Sequence, residues 1–144
     1  MKPRVFLVAL AIWLLAAGIA QAERLAVKST KANVRSGPGA DHAMIWQMER
    51  YQPVKVIERK GPWCLVEDFE GDRGWLHGSL LDKLETVVAA RDGCNLRAGP
   101  GTDHPVVLVV NAGVPFKVIE RRDQWLRVQH GEGETGWIAR SLVW

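Results

Sequence analysis

The sequence predicts an all-β protein made of two small tandem barrels, and three observations carry that prediction. An apolar leader is set off by a cleavage-site pattern. The remainder repeats itself once at a constant offset. Within each copy, short apolar stretches alternate with turn residues, which argues for strands and against helices. The expected units are residues 1–22, 23–84 and 85–144.

The leader comes first. Lys2 and Arg4 precede an unbroken apolar run from Val5 to Ala17, which continues through Gly18 and Ile19 to Ala20-Gln21-Ala22. A basic start, an apolar stretch and a small-x-small ending describe an export signal cleaved after Ala22. A retained membrane helix needs about 20 apolar residues, and here the polar pair Glu23-Arg24 follows a shorter run. An uncleaved anchor is the alternative. The residue directly after the cleavage site is Glu23 and not a cysteine, so lipid attachment there has no residue to use. The expected location is periplasmic or secreted, with no stable membrane insertion after cleavage.

Charge excludes one class of partner. The chain holds 19 Lys and Arg against 16 Asp and Glu, for a net charge of +3. Removing Lys2 and Arg4 leaves 17 against 16, or +1, so the basic character belongs mostly to the leader. A nucleic-acid binder concentrates its basic residues in a patch, whereas here the two signs alternate along the chain. No nucleic acid is expected. The two cysteines, Cys64 and Cys94, would lie in an oxidising compartment, where pairing is allowed but not implied.

The repeat defines the unit. Asn33-Val34-Arg35-Ser36-Gly37-Pro38-Gly39-Ala40-Asp41-His42 recurs as Asn95-Leu96-Arg97-Ala98-Gly99-Pro100-Gly101-Thr102-Asp103-His104, an offset of 62. The offset holds without a gap through Pro53–Arg59 and Pro115–Arg121, Trp63 and Trp125, Gly74-Trp75 and Gly136-Trp137, and Ser79-Leu80 and Ser141-Leu142. Strands are expected near Ala32–Arg35, Met44–Met48, Val54–Lys60, Trp63–Asp68 and Arg73–His77. They are broken at Gly37-Pro38-Gly39, Gly61-Pro62 and Glu70-Gly71-Asp72. Five short strands in so small a unit favour a rolled, barrel-like sheet, because an open one leaves its edges and half its core exposed. The linker, around Asp82 to Thr86, is short enough to hold the two barrels close together.

The succession Asn33-x-Arg35-x-Gly37-Pro38-Gly39, Trp63-x-x-Val66, Gly74-Trp75-Leu76 and Ser79-Leu80, met again in order in the second copy, resembles the bacterial SH3-like domain. The resemblance spans nearly all of the chain after the leader, twice. It implies two SH3-like five-stranded, partly open barrels. It also implies a binding role in the cell envelope, since such modules commonly accompany cell-wall enzymes and bind peptidoglycan peptides or other envelope components. An adaptor that docks on another envelope protein is the competing reading. Polyproline grooves are lined by several aromatic side chains, and the chain has one tyrosine, Tyr51, whose counterpart is Gly113.

A ligand common to both copies should use duplicated residues. Period-2 alternation turns Cys64 and Val66, like Leu126 and Val128, inward and leaves Trp63 and Trp125 on the wetter face. There an indole serves either as a binding anchor or as a cap on the barrel end. Arg35 and Arg97 either brace the Gly-Pro-Gly turn through carbonyls or clamp a ligand carboxylate. Asn33 and Asn95 complete the expected ligand-binding set. Trp75 and Trp137, each after a glycine that suggests close backbone approach, are expected to fill the core. The glycines of Gly-Pro-Gly are read as suppliers of positive φ.

The pairs Asp41-His42 and Asp103-His104 lack the spacing of a zinc site, so no metal or other cofactor is expected. Catalysis is not expected either. Both cysteines look like small buried residues, and no Gly-x-Ser-x-Gly element is present. The adaptor reading would draw on Trp46, Tyr51, Phe69 and Trp144, which lie outside the repeat identities. The protein is expected to be a monomer.

Overall fold

The computed structural model describes residues 22–144, so the expected signal segment lies outside the described residues. The first copy contributes β1 (Glu23–Val27), β2 (Lys31–Arg35), β3 (Met44–Glu49), β4 (Pro53–Lys60), β5 (Trp63–Glu67), β6 (Arg73–His77) and the short β7 (Leu81–Asp82). The second contributes β8 (Thr86–Val88), β9 (Cys94–Arg97), β10 (Val106–Val110), β11 (Pro115–Arg122), β12 (Trp125–His130) and β13 (Thr135–Ala139). Two separate sheets result, ordered β3-β2-β6-β5-β4-β1-β7 and β10-β9-β13-β12-β11-β8. Among the described residues no helix is long and apolar enough to cross a membrane.

The five strands expected in the first copy are β2 to β6. The structure adds β1, which pairs with β4 from Glu23↔Val56 to Ala26↔Pro53, and β8, which does the same for β11. The charged Glu23-Arg24 start conceals β1 in the sequence, yet Leu25, Ala26 and Val27 are buried. The end strands of each sheet do not pair with each other, so each barrel is partly open. A turn does the tying instead. Val27 N–H donates to Gln52 O at 3.0 Å, and Tyr51 N–H to Val27 O at 2.8 Å. Ala89 with Val114 and Gly113 repeats both bonds at 2.9 and 2.8 Å. The turn needs a left-handed residue, and Tyr51 (φ 72°) and Gly113 (φ 91°) occupy the same position in it.

Each barrel has its own core. Val34, Val54, Val66 and Leu76 lead the first; Leu96, Phe116, Val128 and Ile138 lead the second. Cys64 and Val66, like Leu126 and Val128, do point inward. A bulge recurs in both copies at Ile57 and Ile119, which explains why these two isoleucines are exposed inside long apolar strands.

The barrels touch through Trp144. The Arg24 guanidinium lies 4.3 Å from its ring centroid and donates to the Thr86 and Trp144 carbonyls at 3.2 and 3.1 Å. Burial pushes the Arg24 pKa down from its ordinary value. Lys55 Nζ lies 5.3 Å from the same ring, and Phe69 packs against it with centroids 6.5 Å apart. Elsewhere His130 Nε2 lies 3.8 Å from Glu49.

Candidate ligand-binding face

The inward residues of β5 and β6 determine what the outer face carries. A Cβ on Gly74 would overlap the Val34 side chain, and Leu76 is fully buried in the core cluster. Arg73, Trp75 and His77 therefore face outward. Across the strand pair they meet the outer residues of β5, as Trp63↔His77, Leu65↔Trp75 and Glu67↔Arg73. On the other side Trp75 pairs with Arg35, and Asn33 lies two residues earlier on the same face of β2. In the second barrel the face reads Trp125↔Ala139, Arg127↔Trp137 and Gln129↔Thr135, with Arg97 across from Trp137 and Asn95 beside it. The six duplicated residues expected to bind ligand thus share one face per barrel.

The indoles on that face differ in exposure. Trp63 and Trp125 are half-buried, and Trp63 stands edge-on to His77 with centroids 5.3 Å apart. Trp75 and Trp137 are buried as expected from the sequence, yet they point outward. They are 9% and 8% exposed but belong to neither core cluster. Their glycine neighbours take the inward positions: a Cβ on Gly74 would overlap Val34, and one on Gly136 would press tightly on Leu96. The rings are covered from outside, Trp75 by Lys60 Nζ at 5.7 Å and Trp137 by Arg122 at 5.1 Å. Alternation sets their direction, since the fully buried Leu76 and Ile138 point inward and turn the preceding indoles outward.

The Gly-Pro-Gly turn calls for a correction. Gly37, Gly39, Gly99 and Gly101 are not among the residues with positive φ. Glycine is required for space: a Cβ on Gly37 would run into the His42 imidazole, and one on Gly99 into His104. That contact explains why the Asp-His pairs recur. Each imidazole packs on the turn while its own carbonyl accepts from the motif arginine, Arg35 Nη1 to His42 O at 2.9 Å and Arg97 Nη1 to His104 O at 3.0 Å. Arg97 Nη1 also donates to Thr102 O at 3.1 Å. One side of each guanidinium braces the turn. Asn33 is held by Gln47, whose Nε2 donates to Asn33 Oδ1 at 2.8 Å; Asn95 faces Val109 instead.

Around Trp137 the face deepens into a groove of about 390 Å³, lined by Arg97, Ala98, Val107, Arg122 and Arg127 among others. Other polar clusters offer less. His130, Glu132 and Glu134 bring ligand atoms within 4.8 Å of one another. However, His130 Nδ1 is already 3.2 Å from Glu134, so one edge of the imidazole is engaged. A backbone hydrogen bond and this imidazole lower the Glu134 pKa. Cys64 and Cys94 are free thiols, each buried in its own barrel core. Of the four aromatics open to a docking partner, Phe69 and Trp144 are spent on each other between the barrels, and Trp46 packs against the first core.

Comparison with known proteins agrees with this architecture. The family described as bacterial SH3 domain matches residues 28–83 and again 90–144. The chain is 24% identical over 128 residues to "Putative N-acetylmuramoyl-L-alanine amidase YrvJ" of Bacillus subtilis, covering 81% of this chain and 24% of that one. It is 34% identical over 62 residues to "Probable cell wall amidase LytH" of Staphylococcus epidermidis, covering 42% and 21%. The chain thus spans less than a quarter of the length of these relatives. A solved NlpC/P60 family protein from Bacillus cereus aligns with 85% of this chain and 56% of its own, at 15% identity and a TM-score of 0.42.

Proposed function

Because the chain belongs to the bacterial SH3 domain family in two tandem copies, we propose that it is a non-enzymatic binding module of the cell envelope that recognises peptidoglycan. The observation that carries this reading is the duplicated outer face. Each copy presents a half-buried indole, a cation-covered indole and a turn-bracing arginine in the same register. Peptidoglycan offers matching chemistry: sugar and methyl faces for the indoles, and hydrogen-bond acceptors of the stem peptides for the open side of the guanidiniums. Two relatives bear the names of amidases, one of them a cell wall amidase, and what this chain shares with them is 128 residues of the first and 62 of the second, under a quarter of either one's length. Both thiols being core residues supports a role in binding and not in reaction.

The protein acts in this reading as an exported monomer, periplasmic or secreted. Two weak sites held at a set spacing gain affinity on a repeating polymer through effective concentration. The competing reading, docking on another envelope protein, is favoured by one feature. Edge strand β10 leaves Val107 and Val109 53% and 57% exposed, which suits the addition of a partner's strand. Co-sedimentation with insoluble peptidoglycan decides between them. The protein should pellet, and a folded Trp63→Ala/Trp125→Ala variant should stay in solution. Native protein that remains in the supernatant would overturn the peptidoglycan reading in favour of an adaptor.

A further inference from the structure

The two faces are not equivalent, and we propose that the second barrel alone carries a site for a peptide carboxylate, centred on Arg127. The inference rests on the peptidoglycan reading and names the chemical group that this face takes.

Strand register places Arg97, Trp137 and Arg127 in one row across β9, β13 and β12, and Arg122 lies over the same indole. The three guanidiniums differ in what they have left to give. Arg97 spends Nη1 on two turn carbonyls, and Arg122 holds Glu120 at 2.7 Å. Arg127 is exposed, and among the described residues it makes no side-chain hydrogen bond and no ion pair. Three guanidiniums thus face one carboxylate in the groove, and the uncompensated one stands at its centre.

The first barrel lacks this excess. Leu65 occupies the position of Arg127, directly across from Trp75. Its remaining cations are matched: Arg73 by Glu67 at 2.7 Å and Lys60 by Glu58 at 3.7 Å. One substitution between the copies, leucine for arginine, therefore separates an apolar rung from an anion-accepting one.

The shape of the groove favours a peptide over a bare anion. A guanidinium fork matches a carboxylate with two parallel hydrogen bonds. Val107, Ala98 and the Trp137 ring supply apolar walls beside it, suited to a small side chain next to the carboxylate. Inorganic phosphate would use the fork and leave those walls without contact.

The test is an NMR titration of the purified protein with acetyl-D-Ala-D-Ala, as free acid and as amide, following the six indole N–H signals of the described residues. The free acid should move Trp137 and leave Trp75 unchanged, and the amide should bind about tenfold more weakly, the loss expected for a charge-assisted hydrogen bond. Arg127→Leu, which copies the residue the first barrel already tolerates, should lose the same factor. Leu65→Arg should make Trp75 respond as well. The proposal is overturned if acid and amide bind alike, if Trp75 and Trp137 respond equally in the native protein, or if inorganic phosphate binds more tightly than the dipeptide. Those outcomes combined with intact pelleting on peptidoglycan would sink this site alone. Loss of pelleting would sink the broader reading, while the dipeptide titration would still decide the groove.

Discussion

Replacing Phe116 with alanine separates the fates of the two barrels. Phe116 is fully buried and fills the second core where the first has Val54. Truncating a buried phenylalanine costs about 3–5 kcal/mol, through lost transfer energy and the cavity left behind. A unit of about 60 residues, at about 0.05–0.15 kcal/mol per residue, has roughly 3–9 kcal/mol to lose. The change removes from about a third of that stability to all of it. The first barrel has a separate apolar cluster and shares with the second chiefly the contacts around Trp144. It should weaken only by what that interface contributes, on the order of 1–2 kcal/mol. Residue-resolved amide hydrogen exchange is the assay. Protection should collapse across β8 to β13 and persist across β2 to β6. Equal loss in both sheets would refute the reasoning, because it would make the barrels one cooperative unit.

Three further outcomes follow from the same contacts. Gly74→Ala should cost about 1–3 kcal/mol by overpacking fully buried Val34. Gly136→Ala should cost less, since its Cβ would come no closer than 3.1 Å to Leu96, against 2.2 Å from Gly74 to Val34; urea midpoints of the two variants give the comparison. Cys64 and Cys94, each 1% exposed, should resist a thiol reagent in native protein and react promptly in denaturant, as stopped labelling with mass analysis would show. Trp144→Ala should release Arg24, Lys55 and Phe69 together and loosen the barrels with little change in either core, seen as faster independent tumbling in NMR relaxation.

The fold was legible because duplication displays the same constraints twice. Asn33 to His42 and Asn95 to His104 share a turn, and the alternation in Trp63–Glu67 was enough to orient Cys64 and Val66. Strand β1 escaped because a strand of five residues with a charged start shows too little periodicity to read. The burial of Trp75 and Trp137 was legible, but their outward direction was not. Lys60 of β4 and Arg122 of β11 lie over them from outside, and that placement depends on cross-strand register that no local pattern encodes. The steric role of Gly37 was hidden in the same way, since His42 meets it only once the turn has closed. Nor could the sequence show that Arg127 and Trp137 are direct neighbours. That proximity follows from the β12–β13 pairing.

The central claim is that one duplicated face binds peptidoglycan. A two-dimensional amide NMR titration with soluble peptidoglycan fragments tests it most directly. The account predicts shifts clustered at Asn33, Arg35, Trp63 and Trp75, and at Asn95, Arg97, Trp125 and Trp137, with the Phe69–Trp144 junction unchanged. Shifts confined to that junction or to edge strand β10, or no shifts at all, would contradict it.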